Sequence, residues 1–165
     1  MVTAELILDG PEATAALGAR IARALRPGDL VALSGPLGAG KSVLARGLVR
    51  ALTSPAEEVP SPTFTLIQLY DGPAFPLAHM DLYRLKRPEE AWELGLEDAL
   101  ADGAAVVEWP ERLGALLPAD RLHVTLGPAS GADADGPVVA PGAEGRLARL
   151  EGFGAWTGRV ADLLS

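Results

Sequence analysis

One run of eight residues restricts this chain more than anything else in it. Gly35-Pro36-Leu37-Gly38-Ala39-Gly40-Lys41-Ser42 matches the phosphate-loop pattern G-x-x-x-x-G-K-[ST] without a gap. Its flanks agree with it. Leu30-Val31-Ala32-Leu33 before it is a short apolar run of the kind that forms a buried parallel strand. After it, Val43, Leu44, Gly47, Leu48 and Leu52 place small and apolar groups at helical spacing. A loop between a strand and a helix N-terminus turns free backbone N–H groups and the positive end of the helix dipole toward an anion. Gly35, Gly38 and Gly40 let the backbone curl around a phosphate, with Ala39 and Val43 adding backbone N–H groups. Lys41 can reach the β/γ-phosphates, and the Ser42 hydroxyl can ligate Mg²⁺.

The plain alternative is a glycine-rich turn before a core helix. The chain holds 19 Gly and, among 14 basic residues, only two lysines, Lys41 and Lys86. From its own residue frequencies the pattern would arise by chance roughly two times in a thousand, before the strand–helix context is required. A lysine stands where a compact ammonium between phosphates is wanted, although nearly all other positive charge is arginine.

A length of 165 residues suits one domain spanning 1–165, with 48% hydrophobic and 22% charged residues. Cysteine is absent, which excludes disulfides and thiolate chemistry. The N-terminal MVTAELILDGPEAT lacks the features of a signal peptide, and no apolar run approaches a membrane span. The cytoplasm is the expected location and no membrane partner is expected. A net charge of −8 argues against direct, backbone-driven binding of DNA or RNA. Arg84-Leu85-Lys86-Arg87 is a local basic run that reads first as a solvated turn.

In chain order, residues 3–8 predict a strand and Pro11 opens a helix whose apolar face is Ala16, Leu17, Ile21, Ala24 and Leu25. The phosphate-loop strand and a helix over about 40–52 follow. Three prolines within 55–62 exclude regular structure there. Thr63–Tyr70 and Phe75–Leu82 predict a hairpin around Asp71-Gly72. Pro88–Leu94 predicts a short helix, and Leu96–Leu100 another turn. Ala104-Ala105-Val106-Val107 is a buried strand ending in Glu108. Arg121–Leu126 and Arg146–Leu150 alternate as strands around a turn-rich loop over 127–145, with a brief strand expected at Val138-Val139. Trp156, Val160, Leu163 and Leu164 predict a last helix. The sum is an α/β fold with a mixed sheet, a parallel core carrying antiparallel strands, flanked by helices as in P-loop NTPases.

An acid at the carboxyl end of an apolar strand, downstream of a phosphate loop, has the form of a Walker B element. Glu108 would hold Mg²⁺ through water or polarise the attacking water. The alternative is a strand-terminal acid facing solvent.

Three further motifs follow the loop: Ser61-Pro62-Thr63-Phe64-Thr65-Leu66, His79-Met80-Asp81-Leu82-Tyr83-Arg84-Leu85 and Val107-Glu108-Trp109-Pro110-Glu111-Arg112-Leu113. With the phosphate loop, and over roughly residues 11–117, they closely resemble the TsaE (YjeE) family of small bacterial ATPases. The resemblance implies a part in making threonylcarbamoyladenosine next to the anticodon of tRNA. In that family the ATPase works with the TsaB–TsaD complex, TsaC supplies the threonylcarbamoyl adenylate, and ATP hydrolysis sustains turnover. Contact with tRNA would then run through the partners. Carried over by motif, Gly38 to Ser42 would hold the phosphates of ATP, and Ser42 with Glu108 would serve Mg²⁺. Thr63 resembles a switch threonine sensing the γ-phosphate, and Asp81 an acid near the metal or the attacking water. Trp109 belongs to the signature without an evident physical role. His79 reads as a strand residue satisfied by hydrogen bonds. Two positions depart from the family pattern. Pro36 stands where Asp is usual, and Ser42-Val43 where Thr-Thr is usual. Serine keeps the metal-binding hydroxyl; valine loses one to the α-phosphate but keeps its N–H.

Other classes are less well served. No asparagine occurs, so the guanine-reading N-K-x-D motif is missing. A small-molecule kinase would want an arginine-rich lid, for which only Arg84, Arg87 and Arg112 are near. A nucleotide-sensing subunit without hydrolysis would need no acid at Glu108. No arginine is evidently placed against the γ-phosphate, so hydrolysis by the isolated protein is expected to be slow. The start of the first helix near Pro11 and Glu12, with the loop after Leu126, is expected to border the base.

Overall fold

The computed structural model describes residues 1–36, 38–63, 65–128 and 145–164. Its centre is a seven-stranded sheet built from β1 (Val2–Leu8), β2 (Leu30–Ser34), β3 (Ile67–Asp71), β4 (Pro76–Asp81), β5 (Ala104–Glu108), β6 (Leu122–Pro128) and β7 (Arg146–Gly152). The spatial order is β1-β7-β6-β2-β5-β4-β3. β2 pairs in parallel with β5 on one side and β6 on the other, and β4 continues the parallel set beyond β5. β7 and β1 extend one flank antiparallel, and β3 closes the other. This is the mixed α/β sheet expected of the sequence, with its parallel core in the middle.

The central strands are buried on both faces, so they read as continuous apolar runs. Alternation still sorts their side chains. Val31, Leu33 and Val106 pack with α1 (Pro11–Ala24) and α2 (Lys41–Leu52), together with Trp156, Val160 and Leu163 from the C-terminus. Leu30, Ala32, Ala105 and Val107 pack against α3 (Glu90–Glu93), α4 (Leu96–Asp102) and Leu113 of the 110–116 turn. Two cores thus sandwich the sheet. The helices α1 and α2 meet backbone to backbone. A Cβ at Gly18 would collide with the carbonyl oxygen of Leu44, and one at Gly47 with that of Ala15.

Two elements differ from their sequence expectations. The strand expected at Thr63–Tyr70 begins only at Ile67. Leu66 takes φ 69°, and its N–H closes a turn on the Pro62 carbonyl at 2.7 Å, so Thr63 sits in a turn ahead of the strand. Phe64 and the Val138-Val139 strand lie outside the described residues. The expected C-terminal helix is instead two short 3-10 stretches, Gly154–Gly158 and Val160–Leu164. Between them Arg159 reaches inward to a bidentate pair with Asp29, at 2.7 and 2.9 Å, while its guanidinium lies 3.9 Å from the Trp156 ring centre. A regular helix gives way to these tertiary contacts. Among the described residues no helix is long and apolar enough to cross a membrane.

Candidate functional site

The phosphate loop leaves β2 at Ser34 and enters α2 at Lys41. Gly35, Gly38 and Gly40 all have positive φ, at 138°, 80° and 105°. Gly35 and Gly40 also lie close to their neighbours: a Cβ on Gly35 would strike the Leu126 carbonyl, and one on Gly40 would come 3.5 Å from Thr14 Cγ2 of α1. Glycine is the residue that allows both the turn and the close approach. Ala39 is buried, and the Ser42 side chain is exposed at the mouth of the helix.

The Lys41 ammonium is held inside the site and is only 5% exposed. It donates to the Gly35 carbonyl at 2.7 Å and lies 3.8 Å from the centre of the Trp109 ring. Burial lowers its pKa, opposed by the negative charges of Glu108, Glu111 and Asp81. Trp109 therefore has a physical role: its ring face holds the phosphate-loop lysine. To present that face, Trp109 adopts φ 60°, at a cost of about 1–3 kcal/mol for a non-glycine residue. Tyr83 packs tilted against the same ring at 4.9 Å.

The acids come from neighbouring parallel strands. Asp81 and Glu108 end β4 and β5, and they are register partners. The two-residue period puts His79 and Asp81 on the face that Leu77 gives to the α1–α2 core, and Glu108 on the same face as Val106. Glu108 is 4% exposed, so it is no solvent-facing strand end. It accepts a 2.7 Å hydrogen bond from Nε2 of the buried His79, whose Nδ1 has no partner among the described residues. The hydrogen-bonded reading of His79 holds, and the bond goes to the acid of the Walker-B-like strand. Asp81 accepts from the Thr63 hydroxyl at 3.2 Å and from the Tyr83 N–H at 3.0 Å; Thr63 also shares a 2.7 Å bond with Ser61. Thr63 is brought to the acids although no strand carries it.

Three features had no motif to announce them. Ser34, immediately before the loop, donates to Glu111 at 2.9 Å. Its one proton is then committed, so it accepts from Nε2–H of His123 at 2.7 Å. This network ties β2, β6 and the 110–116 turn together beneath the loop. The third is Arg146, the first residue of β7, which donates to the Gly38 carbonyl at 3.2 Å.

Burial lowers the His123 pKa from 6.5, helped by Arg121 and opposed by Glu151 and Glu111. The unfolded chain binds this proton more readily than the folded one. Stability therefore rises with pH through the window below 6.5 and is lost as pH falls through it. Urea unfolding at pH 7.5 and pH 5.5 should show a smaller loss on acidification for His123→Gln than for the parent. Equal losses would show that His123 contributes nothing to the pH dependence.

The family profile described as "Threonylcarbamoyl adenosine biosynthesis protein TsaE" matches residues 8–133. This chain belongs to the TsaE family. Curated members named tRNA threonylcarbamoyladenosine biosynthesis protein TsaE are similar to it over most of their length. The Rickettsia bellii protein is 40% identical over 76% of this chain and 88% of its own. The Streptomyces coelicolor protein is 45% identical over 72% and 82%. The Bacillus subtilis protein is 38% identical over 70% and 72%. Among solved structures, Bacillus subtilis YdiB superposes with a TM-score of 0.70 at 28% identity, covering 99% of this chain and 92% of that one. The TsaE profile ends at residue 133, so β7 and the C-terminal 3-10 stretches of this TsaE-family chain lie beyond it.

Proposed function

We propose that this chain is an ATP-binding and ATP-hydrolysing component of tRNA threonylcarbamoyladenosine formation, a single-domain cytoplasmic protein acting with the TsaB–TsaD complex. Family membership supplies the pathway. The observation that carries the chemistry is the convergence of a glycine-built phosphate loop, a buried Lys41 and two adjacent strand-end acids, Asp81 and Glu108. Gly35, Gly38, Ala39, Gly40, Lys41, Ser42 and Val43 would bind the phosphates. On nucleotide binding, Lys41 would exchange its Gly35 bond for β/γ-phosphate oxygens, with Trp109 steadying the charge.

The donor chemistry suits Mg²⁺: a hydroxyl at Ser42 and a carboxylate at Glu108 are hard oxygen ligands. Among the described residues no cluster of three or more acidic or histidine ligands forms a metal cage. An ion held by two protein oxygens and completed by phosphate oxygens and water fits that arrangement. Bound there, Mg²⁺ would offset charge developing on the β- and γ-phosphate oxygens. Glu108, aligned by His79, would polarise the attacking water or anchor the metal shell. Thr63, hydrogen-bonded to Asp81, would report the γ-phosphate to the 60–66 turn. The acidic surface charge leaves tRNA binding to the partner complex.

The test is multiple-turnover threonylcarbamoylation of tRNA by purified TsaB, TsaD and TsaC. This protein, its Lys41→Ala form, or nothing is added. Repeated turnover should appear with the intact protein alone and consume ATP. ATP hydrolysis with no effect on tRNA modification would keep the site and reject the pathway, leaving a small-molecule kinase as the better reading.

A further inference from the structure

We propose that Arg146 contacts the nucleoside end of the bound nucleotide and stacks its guanidinium on the base. This rests on the phosphate-loop reading above. Arg146 opens β7, opposite Leu8 of β1 and Pro128 of β6. β6 runs parallel to β2, with Thr125 beside Ser34, so Arg146 stands at the end of the sheet where the phosphate loop begins. Its Nη2 donates to the carbonyl of Gly38 at 3.2 Å, across 108 residues of sequence.

The sheet order tells which end of a nucleotide it would meet. The acids lie on β5 and β4, on one side of β2, so the γ-phosphate and its metal belong on that side. A phosphate chain cradled by the loop must then lead its nucleoside toward the opposite side, over β6 and β7. Arg146 occupies that side and is fastened to the loop itself. An arginine there is remote in sheet order from the groups at the γ-phosphate. A planar guanidinium pinned at one nitrogen presents a face on which a purine can lie, without choosing between bases by hydrogen bonds. The chain has no asparagine for guanine-specific reading, which agrees with stacking as its means of holding the base.

The test is calorimetric affinity for ATP, ADP and inorganic tripolyphosphate, using the parent, Arg146→Ala, Arg146→Gln, Arg146→Lys and Lys41→Ala. Arg146→Ala and Arg146→Gln should lose ATP and ADP affinity by the same factor, on the order of ten- to one-hundred-fold. Tripolyphosphate, which has no base, should bind them as it binds the parent. Lysine can still donate to the Gly38 carbonyl but offers no planar face, so Arg146→Lys should not restore affinity. Selective loss of ATP over ADP would place the arginine on the γ-phosphate and overturn the proposal. So would a parallel loss of tripolyphosphate, rescue by lysine, or unchanged affinity in folded variants, with folding checked by circular dichroism. Lys41→Ala separates the two readings. If it still binds all three ligands, the phosphate-loop reading fails; if it loses them while the Arg146 variants do not, only the present inference fails.

Discussion

Glu108→Gln is expected to slow ATP hydrolysis by roughly 10²–10⁴-fold while ATP affinity stays the same or rises. The range is what a positioned acid–base group contributes. Glutamine keeps the shape of the side chain and an oxygen that can accept from His79, so the buried contact survives and the fold is spared. What disappears is the negative charge that holds the metal shell or draws a proton from water. Binding should persist because the phosphates are held by the loop, Lys41 and the helix N-terminus, none of which changes. Removing a carboxylate from beside Lys41 also reduces repulsion of an incoming γ-phosphate. Single-turnover hydrolysis and calorimetry separate the two quantities. A hydrolysis rate within threefold of the parent would reject Glu108 as a catalytic group. Joint loss of binding and hydrolysis would mean that it serves the structure of the loop instead. In the complete tRNA assay, Glu108→Gln should fail in the same way as Lys41→Ala, but with nucleotide still bound.

The second large effect is structural. Gly47→Val should destabilise the protein by about 3 kcal/mol or more, the upper end of overpacking in a close-packed interior. Valine would drive its Cβ into the backbone of Ala15, which a rotamer change cannot relieve. Net stability of a domain is only about 5–15 kcal/mol, so the loss is a large fraction of it. For a chain of this size the unfolding midpoint should fall by roughly 6–12 °C. The effect should reach function as well, since α2 begins at Lys41, and pushing the helix away from α1 displaces the loop from Thr14 and Leu126. Gly127→Ala is the control. Nothing lies within 4 Å of the added Cβ there, and its effect should stay within about 0.5 kcal/mol. Thermal unfolding by circular dichroism checks both; equal midpoints for Gly47→Val and the parent would show that the helices can separate without cost.

The fold was legible wherever a local pattern is strong. β2, α2 and β5 are short elements with unmixed apolar runs or helical spacing, and their ends carry glycine, lysine or an acid where the chemistry needs them. The 63–70 segment was less legible because its β-branched and aromatic composition suits a strand over its whole length. A turn closed on Pro62 and the pull of Asp81 on Thr63 decide otherwise. The C-terminal helix failed for a related reason: apolar spacing records which residues are buried, and 3-10 stretches bury Trp156, Val160 and Leu163 as well as a helix would.

From the sequence alone came the identity of the groups: a phosphate loop, its lysine and hydroxyl, and two acids on apolar strands. Those depend on residue type and short spacing, and short spacing is preserved on folding. Only the tertiary structure decided who neighbours whom. It set Trp109 over Lys41, His79 on Glu108, and His123 with Glu111 beneath Ser34. It also brought Arg146 to Gly38. Each of these contacts joins residues 29 to 108 positions apart. They arise from strand order and register, which a single chain's local periodicity does not encode.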